Sequence, residues 1–166
     1  SMANSIATEK LGATIMTGAV AGAAGGVAEI AWVALYAAMT GGKAAVIAQG
    51  VTTAAGVGAL YPRAAAGAGV AVHMILSLAL GMLLAVVARR LASGRSVRAF
   101  SLAALCGVWF VNFFIILPLV SPAFTHLLPY AVSLTSKLLF GAAAGQVLAM
   151  QARRLPRGLA MVRARQ

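Results

Sequence analysis

Four side chains in this sequence could do chemistry inside an apolar environment: Glu29, His73, Asn112 and Lys137, one from each of four long apolar stretches. Glu29 is the one acid within those stretches, so no other carboxylate can replace it. A charged residue at the centre of a bilayer costs at least about 2.5–3.5 kcal/mol on insertion scales, so such groups turn to the bundle interior and pair. The expected pair is Glu29 with Lys137, and His73 and Asn112 are expected to complete a hydrogen-bonded cluster. Two readings of the cluster stand side by side. In one, Glu29 and His73 are the exchangeable groups of a proton- or ion-coupled site and Lys137 is the resident countercharge. In the other, the cluster is a polar lock that fixes helix packing.

Other chemistries find fewer of their parts. A haem between helices takes two axial ligands, and no second histidine can be paired with His73, His126 lying in a proline-flanked loop. Met74, Met82 and Met150 are thioethers that could suit Cu(I), but isolated methionines in apolar helices are ordinary packing residues. Ser77, Ser133 and Ser136 have no aspartate anywhere in the chain to complete a triad, and no G-x-S-x-G motif is present. Hence no catalytic residue, metal ligand or cofactor is assigned, and the expectation is a protein that is not an enzyme.

The elements that must position these groups follow from composition. Of 166 residues, 62% are hydrophobic and 9% charged, with a mean hydropathy of +0.97. A water-exposed surface needs about 25% charged residues, so the fitting solvent is lipid. The single cysteine, Cys106, excludes a disulfide framework. Runs long enough to span, each about 20 apolar residues, lie at about 12–39, 66–88, 99–117 and 130–152. Ser1 ahead of Met2 is read as an expression remnant. The first run exceeds a signal-peptide core and has only Lys10 beside Glu9 ahead of it, so it is read as retained. Between the first two runs, residues 40–65 are too polar and short for a further span and suggest an interfacial helix or a re-entrant hairpin.

Thirteen Lys and Arg against two Asp and Glu give a net charge of +11. Nucleic-acid binding is excluded as the meaning of that charge, because no basic face with stacking aromatics and no recognisable module is present. Arg89, Arg90, Arg95 and Arg98 fall between the second and third runs, and Arg153, Arg154, Arg157, Arg163 and Arg165 follow the fourth. The positive-inside rule then puts both termini in the cytoplasm, with Lys43, Arg63 and the loop at 121–129 outside. The basic tail at 153–166 is a topology signal that can also hold anionic lipid, at about 1 kcal/mol per residue near the surface. Trp32, Tyr36 and Tyr130 suit an outer aromatic belt, with Trp109 deeper. At about 1.5 Å per residue, His73 lies about 24 Å from Arg89, Lys137 about 24 Å from Arg153 and Asn112 about 21 Å from Arg98, so the four polar groups share the outer third.

The second and fourth runs read as copies 64 residues apart. Gly81 to Ala85 followed by Ala88-Arg89-Arg90-Leu91 matches Gly145 to Ala149 followed by Ala152-Arg153-Arg154-Leu155, and the match puts His73 opposite Lys137. Gly26-Val27 and Gly107-Val108 offer a weaker match between the first and third runs. Two parallel-related helical hairpins would follow. Gly18, Gly22 and Gly26 form a small-residue ridge, as do Gly141 and Gly145. Such ridges let helix backbones approach in lipid, either between helices of one bundle or across a homodimer seam.

The segments VAVHMILSLALGMLLA, NFFIILPLVSPAF and SKLLFGAAAGQVLA resemble a group of small bacterial four-helix inner-membrane proteins of unknown function, some of which carry a sodium:proline symporter label that their size does not support. The resemblance covers roughly residues 35–151 and implies a bacterial plasma membrane without an activity. In that group a histidine occupies both repeat positions, and the Lys137 of this chain departs from it.

The resulting expectation is one all-α domain over residues 1–166: an integral membrane bundle of four transmembrane helices built as two repeated hairpins. It handles an ion, proton or small solute through its outer polar cluster, or serves as a non-catalytic accessory or assembly subunit of a larger membrane complex. Its partners are membrane lipids and either further copies of itself or that complex. Too few polar residues line the helices for a wide aqueous pore in one protomer, so transport needs an oligomer or a narrow path.

Overall fold

The computed structural model describes residues 2–60, 65–91 and 93–163, with side chains over 8–60, 65–91 and 93–151. The arginines at 153, 154, 157, 163 and 165, and with them the second copy of the Arg-Arg match, lie outside the described side chains, as does Arg63. The described residues form helices and no strand. The elements are α1 (Met2–Met39), α2 (Ala44–Ala54), α3 (Ala65–Ala88), α4 (Gly94–Val111), a π-helical turn (Asn112–Ile116), α5 (Leu117–Val120), a 3-10 turn (Pro122–His126) and α6 (Tyr130–Arg163). Four helical stretches are long and apolar enough to cross a membrane: Thr8–Met39, Ala65–Ala88, Gly94–Val120 and Tyr130–Gln151. In lipid a helix satisfies its own backbone polar groups, so apolar runs of this length have few other structures open to them.

Two boundaries differ from the sequence reading. The third span starts at Gly94 rather than at about 99, because Ser93 caps it: its hydroxyl accepts from the Ser96 N–H at 3.2 Å. Arg95 and Arg98 therefore ride on the helix, and Arg98 Nη1 donates to Gln146 Oε1 on α6 at 3.1 Å. α6 continues to Arg163 through the segment read as a tail, Arg, Leu and Ala being strong helix formers.

Pro118 accounts for the π-helical turn. A proline inside a helix lacks an N–H and its ring collides with the carbonyl four residues earlier, here that of Phe114. One wide turn, closed by the Leu117 N–H on Asn112 O, removes that collision. α1 stops at Gly41, whose φ of +69° allows the Gly42 N–H to reach back to Ala37 O at 2.8 Å. α2 ends the same way at Gly56, φ +73°.

α1 packs against both α3 and α6, and α6 also packs against α4, while α3 and α4 barely touch. Each packed pair is antiparallel. Gly22 meets Ser77 and Gly18 meets Gly81 across α1 and α3; Glu29 meets Ser136, and Gly25 meets Phe140, across α1 and α6; Ser101 meets Gly141 across α4 and α6. The start of α1, the finish of α6 and the α3–α4 turn with Arg89 and Arg90 consequently share one end of the bundle, called here the arginine end.

The ridge of Gly18, Gly22 and Gly26 is filled by α3 of the same chain. A Cβ at Gly22 would lie 2.2 Å from Ser77 O, and one at Gly26 2.7 Å from Ser77 Oγ. Gly141 and Gly145 face α4 more loosely, with nearest atoms at 3.1 and 3.0 Å. Gly81 and Gly145, matched in the repeat, each face the preceding spanning helix, whereas Gly26 is pressed on Ser77 and Gly107 meets nothing within 4 Å.

The segment after α1 is a single helix, not a hairpin. α2 packs on the far end of α3, where a Cβ on Gly69 would lie 1.9 Å from Ala48 O. Thr52, fully buried, donates to a backbone carbonyl and lies against both Ala48 O and Ala65 O. Packing of this kind needs the small Ala48 and Gly69.

Candidate functional site

Glu29 sits ten residues before the end of α1 and its side chain is 4% exposed. Gly25 and Gly26, one turn earlier, let α6 and α3 close on both flanks of α1, Phe140 lying against Gly25 and Ser77 against Gly26. This squeeze brings two helices within reach of one carboxylate. From α6, Lys137 Nζ donates to Glu29 Oε1 at 2.6 Å and Ser136 Oγ donates to the same oxygen at 3.0 Å. From α3, His73 Nε2 lies 3.7 Å from Glu29 Oε2, 3.3 Å from Gly26 O and 3.4 Å from Ser77 Oγ. In the tautomer protonated at Nε2, the ring donates to the Gly26 carbonyl.

The two carboxylate oxygens are thus unequal. Oε1 takes both hydrogen bonds, and Oε2 accepts none within hydrogen-bond distance among the described residues, the imidazole lying 3.7 Å away. The charge-assisted bonds to Oε1 hold the carboxylate in place. Oε2 is left as the position where a proton or a ligand donor can attach.

Glu29, His73, Lys137 and Asn112 line one cavity of about 840 Å³. The cavity occupies the space left where α3 and α4 do not meet. Asn112, at the start of the π-helical turn, borders it without a side-chain hydrogen bond in the structure, so of the four residues expected to form one hydrogen-bonded cluster only Glu29 and Lys137 bond to each other, with His73 3.7 Å from the carboxylate.

Apart from Ser77, Ser133 and Ser136, the remainder of the lining is apolar. α2 supplies Ala44, Ile47, Ala48, Val51 and Ala54, one stripe at helical spacing, and keeps Gln49 and Thr53 exposed on its other side. A contact between Gly50 and the Phe124 and Leu127 side chains connects α2 to the turn before α6, so the far end of the cavity is roofed from two directions. His126 is exposed on the 3-10 turn and takes no part in the lining.

Trp109 sits beside Ser133, one helical turn past Tyr130 along α6. Its Nε1 donates to Ser133 Oγ at 3.0 Å, and its ring meets Tyr130 edge-on at 6.5 Å and stacks on Phe113 at 5.9 Å. The Ser133 acceptor draws the indole to that level. Trp32 on α1 donates to Val132 O on α6 at 3.0 Å, binding the same region from the opposite side.

Sequence reasoning passed over Ser136 and Ser77 as members of this site, having weighed them only as nucleophiles. Their positions carried the signal: Ser136 precedes Lys137, and Ser77 follows His73 by one helical turn. Among the described residues, no three His, Cys, Asp or Glu side chains come together in a metal-binding group. Comparison with known proteins finds no family model, no curated protein and no solved structure that matches this chain. The chemistry of the site therefore has to be argued from its own geometry.

Proposed function

We propose that this multi-pass membrane protein is a non-catalytic carrier or receptor for a small solute, which it holds in the cavity beside Glu29. The observation that carries the reading is the convergence of Glu29, His73, Lys137 and Asn112 on a single 840 Å³ space. A lock that served packing alone would close around its charges. Here Lys137 and His73 keep 20% and 22% of their side chains exposed, and Asn112 borders the cavity without a partner. A volume of this size lies within the range of about 300–1,000 Å³ that suits drug-sized ligands.

In this reading the arginine end faces the cytoplasm by the positive-inside rule, in a bacterial inner membrane, and the cavity is reached from the outer half. Lys137 holds the Glu29 charge in place while Oε2 and the His73 ring, 3.7 Å apart, exchange protons as solute enters and leaves. The likeness of the α3 and α6 contacts at Gly81 and Gly145 supports descent of the two hairpins from one repeat.

The test is thermal unfolding of the purified protein against a panel of solutes. A true ligand raises stability with concentration, by about 2.7 kcal/mol at one hundred times its Kd. The cavity-filling variant Val108→Trp should unfold at its own fixed temperature regardless of solute. Partner subunits recovered in stoichiometric amount after mild extraction, with no solute effect on the isolated chain, would support an accessory subunit instead.

A further inference from the structure

Charge bookkeeping in the cavity selects among ligand classes, on the premise that the cavity is a solute site as proposed above. The ionisable groups lining it among the described residues are three: Glu29 from α1, His73 from α3 and Lys137 from α6. α2, α4, the π-helical turn, α5 and the 3-10 turn contribute none to the lining. With His73 neutral the three sum to zero. A ligand that carries a charge into this apolar space must bring its own compensation or change a protonation state, because an unpaired charge in a low dielectric is strongly unfavourable.

A cation would have to drive a proton out. Neutral His73 and ionised Glu29 have none to release as charge, which leaves Lys137, whose ammonium is already engaged with Glu29 Oε1. An anion needs a proton to come in, and the site has places for it. Glu29 Oε2 accepts no hydrogen bond, and His73 Nε2 stands 3.7 Å away. Lys137, a lining residue, spends one of its three Nζ donors on Glu29 Oε1. Two carboxylates beside one ammonium carry one uncompensated negative charge, which a proton taken up between them removes.

We propose that the cavity takes a monoanionic amphiphile, a carboxylate on an apolar tail, with its head on Lys137 and its tail along the α2 stripe, and that binding takes up one proton at the Glu29–His73 pair. The balance is simple: the site at zero charge, one carboxylate and one proton give a site at zero charge, with no bond other than hydrogen bonds made or broken. The apolar stripe of Ile47, Ala48 and Val51 supplies the tail surface, and Asn112 offers its amide across the cavity. A dianion would demand two protons, and a neutral alcohol would bind with none.

The experiment uses the full chain in a neutral maltoside and three probes with one tail: octanoate, octanol and octyltrimethylammonium. Thermal unfolding reads binding, and calorimetry in two buffers of different ionisation enthalpy reads proton uptake. Octanoate is expected to raise the unfolding temperature with about one proton taken up per ligand, and Val108→Trp is expected to abolish both. Lys137→Gln should weaken octanoate at least tenfold while Lys137→Arg retains it; the arginine variant keeps the comparison valid if the glutamine variant does not fold. Octanol binding as well as octanoate, or the ammonium binding with proton release, overturns the anionic class while leaving the cavity as a solute site. If no probe separates the wild type from Val108→Trp, the class and the site fail for these ligands together.

Discussion

The two sides of α3 make opposite use of the same lipid solvent. Toward α1 it presents Gly81 between Gly18 and Gly22, and a Cβ added at Gly81 would come within 2.3 Å of Gly18 O and 2.3 Å of Gly22 N. Toward α4 it makes no such seam; Leu76 and Leu80 line the space left between, which is the cavity, and His73, its ring on Gly26 and Glu29 of α1, borders it. Acyl chains give two helices no hydrophobic reason to join, so contact is decided by how closely backbones can approach. Glycine makes one seam, and its lack on the other side leaves an opening that polar side chains then define.

Three substitutions would break or sharpen that contrast, the largest first. Gly81→Leu drives a branched side chain into the α1 backbone, which cannot yield as a side chain could. It should cost about 3 kcal/mol or more and abolish the monodisperse folded fraction on size-exclusion chromatography. A normal yield would mean the seam is not what holds α3 in place.

Removing one member of the ion pair comes next. Breaking a fully buried pair costs about 3–5 kcal/mol, and the partial exposure of Lys137 reduces that, so Glu29→Gln should cost about 2 kcal/mol in thermal unfolding. Adding Lys137→Met to it should recover much of the loss, since the surviving buried cation is the chief penalty. Two losses that simply add would show that the groups are not coupled.

Asn112→Leu is the smallest. With no side-chain hydrogen bond to lose, stability should move by no more than about 0.5 kcal/mol, while ligand-dependent stabilisation should fall. A large loss of stability would place Asn112 in the packing rather than at the ligand.

The spans themselves were legible because length and apolarity decide them locally. The start of α4 was missed by several residues because charges at Arg95 and Arg98 hid the Ser93 cap, which works through one backbone N–H at Ser96. The approach of Glu29 and Lys137 was expected from the cost of burying either alone, and Asn112 was expected with them for its depth alone. Depth along a helix follows from counting residues; direction around it does not. The role of α2 was hidden for a similar reason. Its stripe of Ala44, Ile47, Ala48 and Val51 reads as mild amphipathicity until α3 offers Gly69 as the place where it docks.

The residues by themselves determined that this chain forms apolar helices of spanning length and that each carries a polar group which needs company. Those outcomes depend on hydrogen bonding within one helix and on solvation of one side chain, both written in local sequence. Only the tertiary structure decided which helices touch, that α3 and α4 stay apart, and that Glu29 gives one oxygen to Lys137 and Ser136 and keeps the other beside His73. Those are relations between surfaces remote in the chain, where a few tenths of an ångström at a glycine determine whether two backbones meet or leave room for a ligand.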